Sequence, residues 1–250
     1  MKRLLLYGLV ACLLCACART GLTPPAEMEQ DLWQKMLAAK QESGPYRIQF
    51  SLRFGEENNT RRVTGILWGN GQNRMRMDIM AGVGATLAKM EDDPDKFVLY
   101  MPREGKAYYQ DGPVKPSLKV GTPLPFNLPQ LAALLNGHYG DVFGKSYAAA
   151  ERVSGQSSFR LEFPPGGTLE LDDMGRPVSW KQNADGWQLS VIYNDSDLPD
   201  RLKLLGPDGK RAIISVKDRE IVGQPFDAEQ MRLSVPENTP RLPLSKYKAS

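Results

Sequence analysis

From Pro45 onward the chain keeps a two-residue rhythm, the pattern of a strand with one wet face and one dry face. In PYRIQFSLRF, Ile48, Phe50, Leu52 and Phe54 share one face, while Arg47, Gln49, Ser51 and Arg53 share the other. GEENNT reads as a turn, RRVTGILWGN as the next strand and GQ as a further turn. RMRMDIM then alternates Met75, Met77 and Ile79 with Arg74, Arg76 and Asp78. These three strands read as a meander. The same grammar runs through ATLAKM, KFVLYM and KAYYQ, separated by DDPD and REG. It resumes at SSFRLEF, TLELDD, PVSWKQN, GWQLSVIY, DRLKLLG and RAIISV, with PPGG, MGR, NADG and PDG between them. About a dozen short antiparallel strands with few helices predict a mainly β fold, a large curved sheet or barrel.

Two segments break the rhythm. Pro24 and Pro25 open AEMEQDLWQKMLAAK, in which Met28, Leu32, Trp33, Met36 and Ala39 recur at helical spacing, with acids in the first turn and lysine at the end. Residues 111–150 contain PLPFNLPQLAALLNG, a proline-rich entry into a short helix carrying Leu128, Leu131, Leu134 and Leu135. Residues 236–250, PENTPRLPLSKYKAS, read as a flexible tail.

The first residues have a different character. Lys2 and Arg3 precede an apolar run from Leu4 to Leu14, the anatomy of a secretory signal and too short for a bilayer span. Leu14, Cys15, Ala16 and Cys17 then resemble the bacterial lipobox, a branched apolar residue and two small ones before the cysteine that is lipidated. That resemblance makes residues 1–16 a lipoprotein signal peptide and Cys17 the carrier of a diacylglycerol thioether and an N-acyl chain. Several chains make a stable anchor where one alone is marginal. Residues 17–24 then form a lipidated cysteine and short tether, residues 25–235 one domain, and 236–250 the tail. Ala18 follows the cysteine instead of the aspartate that tends to hold lipoproteins in the inner membrane, so the outer membrane, periplasmic face, is the expected location.

Cleavage before Cys17 removes Cys12 and Cys15, which excludes cysteine metal sites, redox pairs and thiol nucleophiles from the mature domain. The lone histidine, His138 in NGHYG, cannot assemble a histidine metal site, and no GxSxG, Walker-type loop or dinucleotide fingerprint is present. Asp172 with Asp173, and the run Glu91, Asp92, Asp93 and Asp95, fall in turn-forming sequence and read as solvated turns. With 32 basic and 29 acidic residues there is no basic stripe for nucleic acid. No nucleophile, base and orienter set emerges, so the chain reads as a non-enzyme without cofactor or metal. Met75, Met77, Met80, Met90 and Met101 concentrate in the first half of the sheet, where they suit either an ordinary core or a surface meeting variable apolar partners.

Three separated segments, RMRMDIMAGVGATLAKM, PLPFNLPQLAALLNG and GRPVSWKQNADGWQLSVIYNDSDLPDRLKLLGPDGKRAIISVKD, resemble in order the LolB family of outer-membrane lipoprotein receptors, which are similar in fold to the periplasmic carrier LolA. The resemblance spans about residues 27–220 and implies a curved, unclosed antiparallel barrel capped by helices. Its apolar concave face would take up the acyl chains of lipoproteins. On that basis Phe50, Leu52, Leu67, Met75, Met77, Leu99, Leu161 and Val191 would line the cavity from the strands, with Leu131 and Leu135 from the lid. The loop MAGVGAT matches the family's membrane-inserting loop, with Val83, between Gly82 and Gly84, where the family usually has leucine. The implied partners are lipoprotein acyl chains, a LolA-like periplasmic carrier and outer-membrane lipid, and the implied state is a monomer. The alternative from another class is an envelope protein-interaction or lipid-sensing module on the same fold.

Overall fold

A computed structural model describes residues 25–38, 44–56, 59–71, 74–82, 84–112, 124–153, 158–163, 167–183, 186–207 and 209–248. The lipobox with Cys17, the tether, Ala39 and Val83 therefore lie outside the described residues.

The chain opens with helix α1 (Pro25–Ala38) and passes into strands β1 (Pro45–Glu56), β2 (Asn59–Asn70), β3 (Met75–Ala81), β4 (Thr86–Asp92), β5 (Lys96–Met101) and β6 (Lys106–Asp111). Each of these strands pairs antiparallel with the one before it. Helices α2 (Leu128–Leu135) and α3 (Tyr139–Phe143) follow. A second meander then runs through β7 (Ala149–Arg152), β8 (Phe159–Glu162), β9 (Gly167–Leu171), β10 (Pro177–Gln182), β11 (Gln188–Tyr193), β12 (Pro199–Leu205) and β13 (Arg211–Ile221). The two meanders join where β13 pairs with β1, and with a last short strand, β14 (Arg241–Pro243), fourteen strands form one sheet in the order β14-β6-β5-β4-β3-β2-β1-β13-β12-β11-β10-β9-β8-β7. β6 and β7, consecutive in the chain, thus stand on opposite arms of the sheet. The connection between them, which carries α2 and α3, must cross the open side.

That crossing explains the composition of α2. Its start is fixed by a capping box, in which the Asn127 side chain accepts from the Gln130 N–H and the Gln130 side chain accepts from the Asn127 N–H. Beyond the cap, Leu128, Leu131, Ala132, Ala133, Leu134 and Leu135 are all buried. A helix apolar on every side is covered on every side. α1 is amphipathic as the spacing predicts: Leu32, Trp33 and Met36 are buried, and the Trp33 ring meets Tyr147 edge-on at 5.0 Å and Phe163 at 5.7 Å.

Two sequence expectations are corrected. The segment expected to trail as a flexible tail is docked instead. After β13 the chain forms helix α4 (Ala228–Met231) and then strand β14 (Arg241–Pro243), which pairs parallel with β6, followed by a short 3-10 turn (Leu244–Lys246). Leu244 is 1% exposed, the Tyr247 ring stands edge-on to Tyr108 at 5.2 Å, and Arg241 lies over the Tyr109 ring. Two apolar or aromatic anchors and one cation over a ring, spaced through a polar stretch, hold it, although its composition is that of a loop.

The acidic run is likewise no solvated turn, because Glu91, Asp92 and Asp93 are all nearly buried. Glu91 accepts from the Leu233 N–H at 2.9 Å and faces Lys96 at 3.2 Å, held under the wrapping C-terminal segment. Asp93 accepts from the N–H groups of Asp95 and Lys96, an Asx turn, and Asp92 points to the opposite face. Asp172 keeps its turn role, accepting from the N–H groups of Met174 and Arg176 and pairing with the Arg176 guanidinium at 2.9 Å.

Candidate functional site

The inward face of the sheet is continuous and apolar. One row of directly paired residues runs across six strands, Ile48–Leu67–Met77–Met90–Leu99–Tyr108, and none is more than 4% exposed. The flanking row passes through Phe50, Gly65, Ile79 and Ala88. Across β1 and β2, ring and glycine alternate. A Cβ on Gly65 would stand 2.1 Å from the Phe50 ring, and one on Gly69 would stand 2.3 Å from the Tyr46 ring. The two aromatic rings therefore lie across the neighbouring strand, over positions where any side chain would clash with them.

All ten residues expected to line a cavity belong to this buried set. Phe50, Leu52, Leu67, Met75, Met77, Leu99, Leu161 and Val191 project from strands, and Leu131 and Leu135 from α2, within one apolar cluster. Of the five methionines, Met75, Met77 and Met90 lie within the cluster and Met101 packs against it, while Met80 is outside it. Gly82 and Gly84 flank Val83 at the β3–β4 hairpin, where the Gly84 N–H donates to the Ala81 carbonyl and the Ala81 N–H to Ala85. Both glycines are exposed, and a Cβ at either would meet nothing within 4 Å. Gly84 has φ +82°, a left-handed backbone that favours glycine.

At the opposite rim the apolar floor meets polar groups, of which the sequence pointed to Asp92 alone, as part of a turn. Tyr46, Gly69, Met75, Asp92 and Phe97 form one paired row at that end. Among the described residues, three buried polar side-chain atoms have no hydrogen-bond partner: Tyr46 Oη, Asp92 Oδ2 and Arg219 Nε. Tyr46 and Asp92 are in phase with the apolar residues of their strands, so alternation places them inward. Arg219 is not. The β1–β13 register shifts between Gln49 and Phe50, so Asp218 faces outward to Arg47 while Arg219 pairs with the inward Ile48. A bulge flips the facing of everything beyond it, and no single-strand pattern could have found this residue. Close by, the Tyr193 hydroxyl meets Tyr139 Oη at 3.0 Å and the Pro177 carbonyl at 2.8 Å, under the Arg176 guanidinium. Burial pushes the Tyr139 phenol up to about 12.

Burial, with the like charge of Asp93 beside it, raises the Asp92 carboxyl to about 7. Its inward neighbours Met75 and Phe97 bring no charge, and Arg74 reaches only Asp93, at 3.7 Å. A carboxyl whose folded pKa lies above its unfolded one stabilises the fold fully below about pH 4 and loses that contribution as pH rises through about 7. The ceiling is about 4 kcal/mol for a shift of this size, less whatever solvent reaches the group. Asp92→Asn is therefore expected to raise the melting temperature at pH 8 and to have little effect at pH 4. Thermal scans of both proteins across that range check it; a constant offset at every pH would mean that Asp92 does not titrate there.

Among the described residues no group of three or more His, Cys, Asp or Glu could hold a metal ion, and no helix is long and apolar enough to cross a membrane. No protein-family model and no curated protein matches the chain. Solved structures do match its architecture. A LolA superfamily protein from Nitrosomonas europaea aligns with a TM-score of 0.54 at 11% identity, over 78% of this chain and 94% of its own. The fold is LolA-like. An outer membrane lipoprotein-sorting protein domain from Vibrio parahaemolyticus aligns at 0.53 and 13% identity, covering 82% of this chain and 97% of its own. A DUF1329 family protein from Desulfovibrio piger aligns at 0.55 and 13%, over 84% and 100%.

Proposed function

We propose that the protein is a lipid-anchored carrier that takes acyl chains of lipoproteins against the concave face of its sheet and helps pass them into the outer membrane, without covalent chemistry. The observation that carries this reading is the uninterrupted apolar floor of an unclosed sheet, covered by helices that ride on the connection across its open side. A closed barrel with these residues would be a core. An open one can part its helices from its floor. Cys17 would hold the protein at the membrane, the ten inward residues would receive the chains, and a LolA-like carrier would deliver the cargo. Burial of each methylene contributes about 0.8 kcal/mol, so transfer needs only successive environments that bury the chains better.

The hairpin at Gly82, Val83 and Gly84 would enter the lipid during delivery. Nothing stands within 4 Å of where a side chain on either glycine would begin, so Val83→Glu is expected to fold and to take up lipid normally. Glutamate opposes insertion, whereas burying valine favours it by about 1.5 kcal/mol or more. Release of a radiolabelled lipoprotein from the variant into liposomes is expected to fall well below wild type, with Val83→Leu at or above wild type. Unchanged release by Val83→Glu would reduce this loop to a plain hairpin turn.

A further inference from the structure

Across much of the sheet's outward face, cations stand beside carboxylates. Arg47 faces Asp218 at 3.4 Å, Arg76 and Lys89 share Asp78 at 3.0 and 4.0 Å, and Arg160 bridges Glu151 and Glu170 at 2.9 and 2.7 Å. One region departs from this. Strands β2, β1, β13 and β12 carry two adjacent rungs, Arg62–Arg53–Ile213–Lys203 and Thr64–Ser51–Ser215–Arg201. Their chain neighbours Leu52, Val63, Leu202, Leu204 and Ile214 are buried, so alternation turns Arg53, Arg62, Arg201 and Lys203 outward, and all four are exposed. Neither rung contains a carboxylate, and among the described residues none of these four cations is in an ion pair. Arg53 and Arg62 are direct cross-strand partners, a like-charge pairing that costs stability. Arg62 Nε donates to Ser51 Oγ at 2.9 Å, which orients the guanidinium without neutralising it.

The patch lies at one end of the sheet. Val63 pairs with Ala81, the last residue of β3, so Arg62 stands where the β3–β4 hairpin begins. Leu205, 37% exposed, is one rung nearer the same rim. We infer that this four-cation face receives the phosphates of anionic lipid and lies against the bilayer beside the hairpin. Neither rung holds an aromatic residue to anchor a protein partner. Arginine and lysine carry their charge on long stems that reach a headgroup layer, and guanidinium matches phosphate geometry. The inference rests on the membrane-delivery reading and adds to it the charge of the lipid and the face that meets it. The contact is screened by salt and weak, so it orients the anchored protein and does not replace the anchor at Cys17.

The test is flotation of the protein carrying Cys17→Ala, so that no attached chain holds it, with vesicles of phosphatidylcholine alone or mixed with phosphatidylglycerol. Preference for the anionic vesicles is expected at low salt and is expected to fade at high salt. Arg53→Gln with Lys203→Gln is expected to cut that preference by about fivefold for each cation removed. Its melting temperature should hold or rise, because the Arg53–Arg62 repulsion is gone, and its binding of a fluorescent fatty acid should be unchanged. Arg47→Gln with Arg160→Gln removes the same charge from paired positions on the same face and is expected to keep most of the preference. Equal loss in both double variants would mean that net charge alone acts, and overturns the patch. Indifference of the parent protein to vesicle charge also overturns it, and turns the search for a partner to an acidic protein. In either case intact fatty-acid binding leaves the carrier reading standing. Anionic preference confined to the patch, in a protein that binds no fatty acid, supports the lipid-facing surface and overturns the carrier.

Discussion

Met77→Glu is expected to leave the sheet assembled and to abolish binding of a fluorescent fatty acid. Met77 sits mid-floor, 2% exposed, paired with Leu67 on one side and Met90 on the other. In a solid core, a carboxyl there would cost several kcal/mol, enough to threaten a fold of ordinary stability. On an apolar floor beneath separable helices, water can reach it or it can protonate, and the penalty falls mainly on the bound state, where chain would replace water. The variant should therefore keep wild-type far-UV circular dichroism and a cooperative transition at a melting temperature lowered by several degrees, with dye binding gone. Collapse of the cooperative transition would show instead that these residues are ordinary core.

Cys17→Ala is expected to remove the protein from the membrane fraction altogether. If the lipobox is used, Cys17 carries every acyl chain of the anchor, and no second anchoring signal is visible in the sequence. The variant should appear as soluble periplasmic protein or with its leader uncleaved, and metabolic labelling with a radioactive fatty acid should leave it unlabelled. Label that persists on the variant would place the modification elsewhere.

The floor was legible in the sequence because inward residues in a one-sided antiparallel sheet must alternate. Ile48, Phe50 and Leu52, and Met75, Met77 and Ile79, occupy the faces that their spacing predicts. Helix α2 was legible for a similar reason, since a leucine-rich helix behind prolines needs cover. Three things were not. The C-terminal strand β14 takes its place from isolated anchors, Leu244 and Tyr247, in polar company, so local composition points to a tail. The acidic run splits between two faces and a turn, because Glu91 and Asp92 end a strand while Asp93 caps the turn that follows. Arg219 enters the concavity through a bulge, a change of register set by pairing between residues far apart in the chain. All three depend on long-range partners, which spacing along one strand does not encode.

If the concave face holds acyl chains, native mass spectrometry of the protein expressed in bacteria with Cys17 replaced, so that any lipid seen is bound and not attached, should reveal them. The protein with its wild-type concave face is expected to retain co-purified lipid of acyl-chain mass, released on mild activation, and the Met77→Glu form to be detected as bare protein. A wild-type floor that yields only the apo mass, including after incubation with lipid vesicles, would contradict it.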